Sequence, residues 1–285
     1  IEFRPAQLNR FLSRLDQSGR LVQSKCDSAR YNPAWAFSIS HVSHLCYYSL
    51  MTTILLVRHG ENDWVKKHRL AGWIEGIHLN ENGRQQATAA AERLAHLPVK
   101  ALYSSPVLRC RETADAIASR LNLPINTLDS MGEVRYGEWE GKKIKKLAKK
   151  KEWFTVQFYP SRMQFPGGES LRAVQMRGVE AIEALAQSHD DQDIIVVVSH
   201  ADIIKLVLAY YLGVHIDLFQ RIIVSPASVS VLHLFGNGVV RIGRVNDDGP
   251  LQPLPKPVEK QKKPKEKNEK SDNGDTAVAD SNTNS

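Results

Sequence analysis

Cysteine is scarce in this chain. Cys26, Cys46 and Cys110 are the only three among 285 residues, and none stands in a CxxC or zinc-ligand spacing. An odd, scattered set argues against a disulfide framework and suits a reducing compartment, so a cytoplasmic location is expected. Long apolar runs are missing too. No stretch approaches the ~20 consecutive apolar residues of a membrane span, and no membrane partner is expected. A GxSxG elbow, a P-loop, a GxGxxG turn and an HExxH pair are all absent. That removes the common signatures of acyl transfer, nucleotide binding and zinc hydrolysis. Charge of one sign is not concentrated in the centre either. The formal net charge is +7, of which residues 1–50 carry +3 (6 Lys/Arg, 3 Asp/Glu), residues 51–249 carry +3 (25 and 22) and residues 250–285 carry +1 (7 and 6). So mild a balance gives little reason to expect nucleic acid, and none is expected.

What is present starts at Ile54-Leu-Leu-Val-Arg58-His59-Gly60-Glu61. Four apolar residues, two of them β-branched, read as a buried strand. The strand stops at a cation, an imidazole and a glycine, and Gly60 is expected to let the backbone turn sharply without a Cβ clash. A polar loop, 62–80, follows with Trp64 and Trp73 in it. Residues 84–97 carry a helical stripe of Ala87, Ala90, Ala91, Leu94 and Ala95, ended by Pro98. Ala101–Tyr103 is a short strand. Ser105 and Pro106 suit the cap and first turn of a helix bearing Arg109, Ala114, Ile117 and Leu121. Pro124–Leu128 is a third strand. Residues 131–141 are irregular. Residues 142–151 form a lysine-dense helix, read as a solvated face or a basic rim for an anionic substrate in preference to a nucleic-acid site. An aromatic loop over 154–166 and an amphipathic helix over 169–188 come next. Residues 193–200 are apolar until Ser199-His200, which predicts a central strand covered on both sides. A helix over 201–212 and a hairpin around Gly236-Asn237-Gly238 complete the pattern. Strands alternating with helices predict an α/β fold with a mostly parallel sheet.

Two segments fall outside this alternation. Residues 1–50 lack regular patterning and the layout of a signal peptide. They are expected to be a leader ahead of a start at Met51, or an extension that docks or tethers, disordered in either case. His41, His44 and Cys46 are read as unligated. After Gly249 a proline-rich stretch, Lys/Glu repeats and a Ser/Asn/Asp/Thr end predict a disordered charged tail over 250–285. The catalytic domain is therefore expected at 51–249.

Ligands of open α/β sheets bind outside the carboxyl ends of the strands. Arg58, His59, Arg109 and His200 all fall at or just after such ends, and Glu133 lies in a loop on the same side. Two arginines would repel a divalent ion but clamp a phosphate, each guanidinium donating two parallel hydrogen bonds. A neutral histidine in that clamp is a nucleophile for phosphorus. Glu133 can protonate a leaving oxygen and then deprotonate water.

Arg58-His59-Gly60-Glu61, Ser104-Ser105-Pro106-Val107-Leu108-Arg109 with Glu112-Thr113-Ala114, Glu133 with Tyr136-Gly137 and Trp139-Glu140-Gly141, Pro166-Gly167-Gly168-Glu169-Ser170, and Val198-Ser199-His200 together resemble the histidine phosphatase superfamily, phosphoglycerate-mutase-like branch. The resemblance spans about residues 52–245. It implies a three-layer α/β/α sandwich, a phosphohistidine on His59, a phosphate pocket from Arg58, Arg109 and His200, and Glu133 as proton donor, with no metal and no cofactor. Asn62, Tyr136 and Ala201 are expected on the substrate side. Val65, Val134 and Ala201-Asp202 depart from the mutase pattern, so the substrate stays open. The segment between Gly141 and Pro166 is shorter than the lid of cofactor-dependent mutases. A short cover admits water, which favours hydrolysis of a small phosphate monoester over mutase chemistry. A mutase on the same intermediate, or a non-catalytic phospho-ligand sensor, is the alternative. A homodimer is left open.

Overall fold

The computed structural model describes residues 51–249. The leader or extension expected at 1–50 and the tail expected at 250–285 lie outside the described residues. Six strands form the frame: β1 (Met51–Arg58), β2 (Val99–Ser104), β3 (Ile125–Thr127), β4 (Ile194–Ser199), β5 (Val229–Phe235) and β6 (Val240–Asp247). They make one sheet in the order β3-β2-β4-β1-β5-β6. β3, β2, β4 and β1 run parallel, whereas β5 is antiparallel to β1 and β6 to β5. The all-apolar β4 sits between β2 and β1, the covered position its sequence predicts.

The helices are α1 (Asp63–Lys66), α2 (Glu81–Leu94), α3 (Leu108–Leu121), α4 (Ile144–Leu147), α5 (Lys151–Phe158), α6 (Leu171–Ser188) and α7 (Ala201–Tyr211). Period-two alternation in the central strands divides them into two layers. Leu55, Val57, Val196 and Val198 join Ala91, Leu94, Cys110, Ala114 and Ile117 of α2 and α3 in one buried cluster. Ile54, Leu56, Ile195 and Val197 join Val174, Ile182, Leu185, Ile203 and Val207 of α6 and α7 in the other. The result is an α/β/α sandwich. Among the described residues, no helix is long and apolar enough to cross a membrane.

Three local expectations are corrected. The helix expected to be capped by Ser105 starts two residues later: Val107 is its N-cap and supplies no side-chain cap. The lysine-dense helix expected over 142–151 breaks into α4 and α5. Lysines spaced three and four apart repel along a continuous helix. A turn at 148–150 instead lets Trp153 stack on Trp139 at 6.1 Å and buries Val156. The loop expected from residue 154 consequently begins inside α5.

Candidate active site

β1 and β4 are paired in register, with Arg58 opposite Ser199, so the residue after each strand is a histidine at the same level. The His59 amide donates to the Ser199 carbonyl at 2.9 Å. The two imidazole centroids are 5.2 Å apart at an interplanar angle of 65°. Both rings are buried. Gly60 is required here, but for a different reason than a turn: its φ is not positive. A Cβ on Gly60 would overlap the backbone of Gly83, and one on Gly83 would overlap Glu61. Two bare backbones in contact hold the His59 turn against the start of α2. The Gly60 amide also donates to Thr113 Oγ1 of α3 at 3.1 Å.

Arg109, in the first turn of α3, joins the two histidines. It is fully buried among the catalytic candidates. Its Nε donates to His59 Nε2 at 3.2 Å, and its Nη2 donates to His200 Nδ1 at 3.0 Å. The same Nη2 reaches Glu133 Oε2 at 3.4 Å and the Gly72 carbonyl at 3.1 Å. A guanidinium only donates, so each ring nitrogen facing it carries a lone pair. The opposite nitrogens hold the protons. His59 Nδ1 donates to the Gly60 carbonyl at 2.7 Å, and His200 Nε2 donates to Ser105 Oγ at 2.8 Å. Ser105 Oγ also accepts the Val107 amide at 3.3 Å, so it ties His200 to the chain just ahead of α3.

Arg58 is anchored by Nη1 donating to the Val224 carbonyl at 2.7 Å. Asn62 is buried and caps α1 with its side-chain oxygen, which accepts from the amides of Trp64 and Val65. Three buried donors of this cluster make no hydrogen bond among the described residues: Arg58 Nε, Asn62 Nδ2 and Arg109 Nη1. Buried donors are normally paired. Arg109 Nη1 belongs to the guanidinium that meets both imidazoles, and a donor left unpaired there fits an oxyanion.

Glu133 arrives from a loop, and the loop is clamped. Arg177 of α6 donates through Nη1 to the carbonyls of Ser130 (2.6 Å) and Gly132 (3.0 Å), and through Nη2 to that of Glu133 (3.1 Å). Arg177 also grips Glu169 with Nε to Oε1 at 2.9 Å and Nη2 to Oε2 at 3.0 Å, and Glu169 Oε2 accepts the Arg135 amide. Trp73 Nε1 donates to the Glu133 carbonyl at 2.6 Å. The Pro-Gly-Gly-Glu segment therefore serves the Glu133 loop from below. Tyr136 is buried, and its hydroxyl donates to Asp202 Oδ2 at 2.8 Å. Ala201 opens α7 and is half-buried.

Arg58, His59, Arg109, Glu133 and His200 therefore meet in one crevice. Ser105, Thr113, Trp73 and Arg177 hold them; the sequence pattern marks Ser105 as a helix cap and Trp73 as a loop residue and gives none of the four this supporting role. Only Thr113 had a local signal, standing one turn after Arg109.

Burial governs the electrostatics. It holds His59 well below the usual imidazole range, with Arg109 and Arg58 adding repulsion. His200 is depressed the same way, first by burial and then by Arg109 and His59. Glu133 is pushed up to about 7 by burial, aided by Asp202 and opposed by Arg109. The crevice thus pairs two neutral rings with a carboxyl that is half protonated near neutrality, poised to give and take a proton. Among the described residues, no group of three or more His, Cys, Asp or Glu could hold a metal ion.

The chain belongs to the histidine phosphatase superfamily, branch 1, whose sequence profile matches residues 54–248. It is an enzyme of that phosphatase and phosphomutase class. A metal-independent phosphoserine phosphatase of Arabidopsis thaliana is 35% identical over 192 residues, covering 65% of this chain and 78% of its own. A 2,3-bisphosphoglycerate-dependent phosphoglycerate mutase of Thermoplasma acidophilum is 28% identical over 201 residues, covering 69% and 94%. Among solved structures, Bacillus stearothermophilus YhfR superimposes with a TM-score of 0.65 at 27% identity, covering 69% of this chain and 97% of its own.

Proposed function

We propose that residues 51–249 form a metal-independent phosphatase that hydrolyses a small phosphate monoester through a phosphohistidine on His59. The observation that carries this reading is Arg109 donating to His59 Nε2 and His200 Nδ1 at once. That arrangement puts two lone-pair nitrogens and a fixed cation around one spot.

In the first half-reaction, His59 Nε2 attacks phosphorus, and a P–N bond forms as the ester P–O bond breaks. Arg58, Arg109 and Asn62 donate to the equatorial oxygens, where charge compensation is most of the catalytic task. Protonated Glu133 gives its proton to the departing alkoxide. In the second half-reaction, ionised Glu133 takes a proton from water as the water oxygen attacks phosphorus. The P–N bond breaks, leaving phosphate, neutral His59 and protonated Glu133. Arg109 must leave the Nε2 lone pair for a phosphoryl oxygen when substrate enters, a shift that its neighbouring unpaired Nη1 makes small. Tyr136, Asn62 and Ala201 line the substrate side, where Asp202 fixes the Tyr136 hydroxyl.

The mutase relative supports a second reading, phosphoryl transfer between positions of a phosphoglycerate on the same intermediate. One experiment covers both. The protein is assayed with EDTA present for phosphate release from a panel of monoesters, phosphoserine included, and for interconversion of phosphoglycerates. Phosphate release that His59→Ala abolishes supports the phosphatase. Interconversion without release supports the mutase. Full activity in His59→Ala overturns both.

A further inference from the structure

Residues 142–159 carry chemistry that the reaction does not use. Six lysines, Lys143, Lys145, Lys146, Lys149, Lys150 and Lys151, are exposed within nine positions. None forms an ion pair with a described residue. α5 then turns Trp153 and Val156 inward and leaves Phe154 (56% exposed) and Phe158 (59%) on its outer side, followed by Tyr159 (48%). The Phe154 and Phe158 rings are 4.5 Å apart, and Tyr159 is 5.9 Å from Phe154. Lys150, Lys151, Phe154 and Phe158 line one recess of about 420 Å³. A contiguous exposed aromatic cluster is unusual on a soluble surface, and this one shares its recess with Lys150 and Lys151 and directly follows the other four of these lysines in the chain.

We propose that this face docks the protein on an anionic phospholipid surface. Interfacial helices place bulky apolar groups at the headgroup boundary and lysines around them, and α5 with its flanking turn has that layout. The positive charge is a diffuse set of flexible ammonium groups, matched to a two-dimensional field of phosphates and not to one oriented anion. Single-stranded nucleic acid also pairs with lysines and aromatic rings, but it needs free ring faces for stacking. Phe154 and Phe158 pack against each other at 4.5 Å, which covers one face of each ring and leaves no gap for a base between them. A second copy would meet this face with six lysines of its own, which repel across a two-fold contact. The lack of a spanning helix among the described residues bears on insertion, not on surface docking.

The test is cosedimentation of the full chain with vesicles of phosphatidylcholine alone or with about a third phosphatidylserine. Melting temperature serves as the folding control. Two variants separate charge from apolar contact: Lys145→Glu with Lys146→Glu, Lys149→Glu and Lys150→Glu, and Phe154→Ser with Phe158→Ser. The expected result is binding to the anionic vesicles only, weakened at high salt, with the charge variant weakened by at least about tenfold and the aromatic variant weakened even at low salt. Equal sedimentation with both vesicle types, or a folded charge variant that binds like the parent, overturns the proposal. Binding to single-stranded RNA with no vesicle binding overturns it in favour of nucleic acid.

Discussion

The described residues hold two concentrations of positive charge that are built in opposite ways. In the crevice, Arg109 is buried and Arg58 half-buried; each is anchored by part of its guanidinium to backbone, ring or carboxylate partners and keeps one N–H donor without a partner among the described residues. Over residues 143–151, six lysines stand in solvent without ion-pair partners among the described residues. A buried guanidinium in low dielectric is desolvated in advance and acts on one anion at short range. An exposed ammonium is screened within about 10 Å at 0.1 M salt and acts only as part of a field. Charge count therefore says little about function; the crevice has two cations where the surface has six, yet it is the crevice that can do chemistry.

That contrast can be broken or sharpened by substitution. Among substitutions that spare the nucleophile, the largest effect is expected from Glu133→Gln, which removes the group that moves the proton. Turnover should fall by about 10²–10⁴ in a steady-state phosphate-release assay. The pH profile should change with it. Glu133 titrates near 7 and is active as an acid when protonated. The parent kcat/KM should therefore decline above about pH 7, and the variant should lose that decline.

Arg109→Ala comes next, with turnover lowered by about 10²–10³, as for loss of one transition-state donor. Replacing any single lysine of the surface set in the same assay should change turnover less than about twofold. A tenfold lysine effect would erase the distinction.

A smaller loss, about tenfold in kcat with KM little changed, is expected for Arg177→Lys, which keeps the charge but not the fork that holds three carbonyls and Glu169. Unchanged kcat would mean that the Glu133 loop needs no clamp.

The smallest effect is on stability. His59 and His200 are buried neutral, so unfolding lets both bind protons, and stability falls as pH drops through the ordinary imidazole value of 6.5. Glu133 acts the other way. Its raised value means that its contribution is full below about 4.5 and is lost as pH rises through about 7. Two groups outweigh one, so the melting temperature should rise from pH 5 to pH 7. It should rise more steeply in Glu133→Gln, by up to about 1.4 kcal/mol per pH unit in stability. An unchanged slope would show that Glu133 titrates normally.

The sequence and the structure agree best where function and local pattern coincide. The β1 and β4 runs are apolar on both faces and end in Arg58-His59 and Ser199-His200, so strand, sheet centre and site were legible together. The supports were not. Arg177 reaches the 130–133 loop from 44 to 47 residues away, and Ser105 reaches His200 across 95. No periodicity encodes such contacts; they exist only once the sheet has set its strand order. The same limit explains the lysine segment. Its composition favours a helix everywhere, but its break depends on Trp153 finding Trp139 in the folded core.

The account rests on His59 Nε2 carrying the phosphoryl group between two half-reactions. Rapid quenching during turnover of a radiolabelled monoester, followed by peptide mapping, tests this directly. The predicted result is a single acid-labile, alkali-stable label on His59, formed faster than phosphate is released in the steady state. Label on another residue, or turnover with no labelled enzyme at any time, would contradict it.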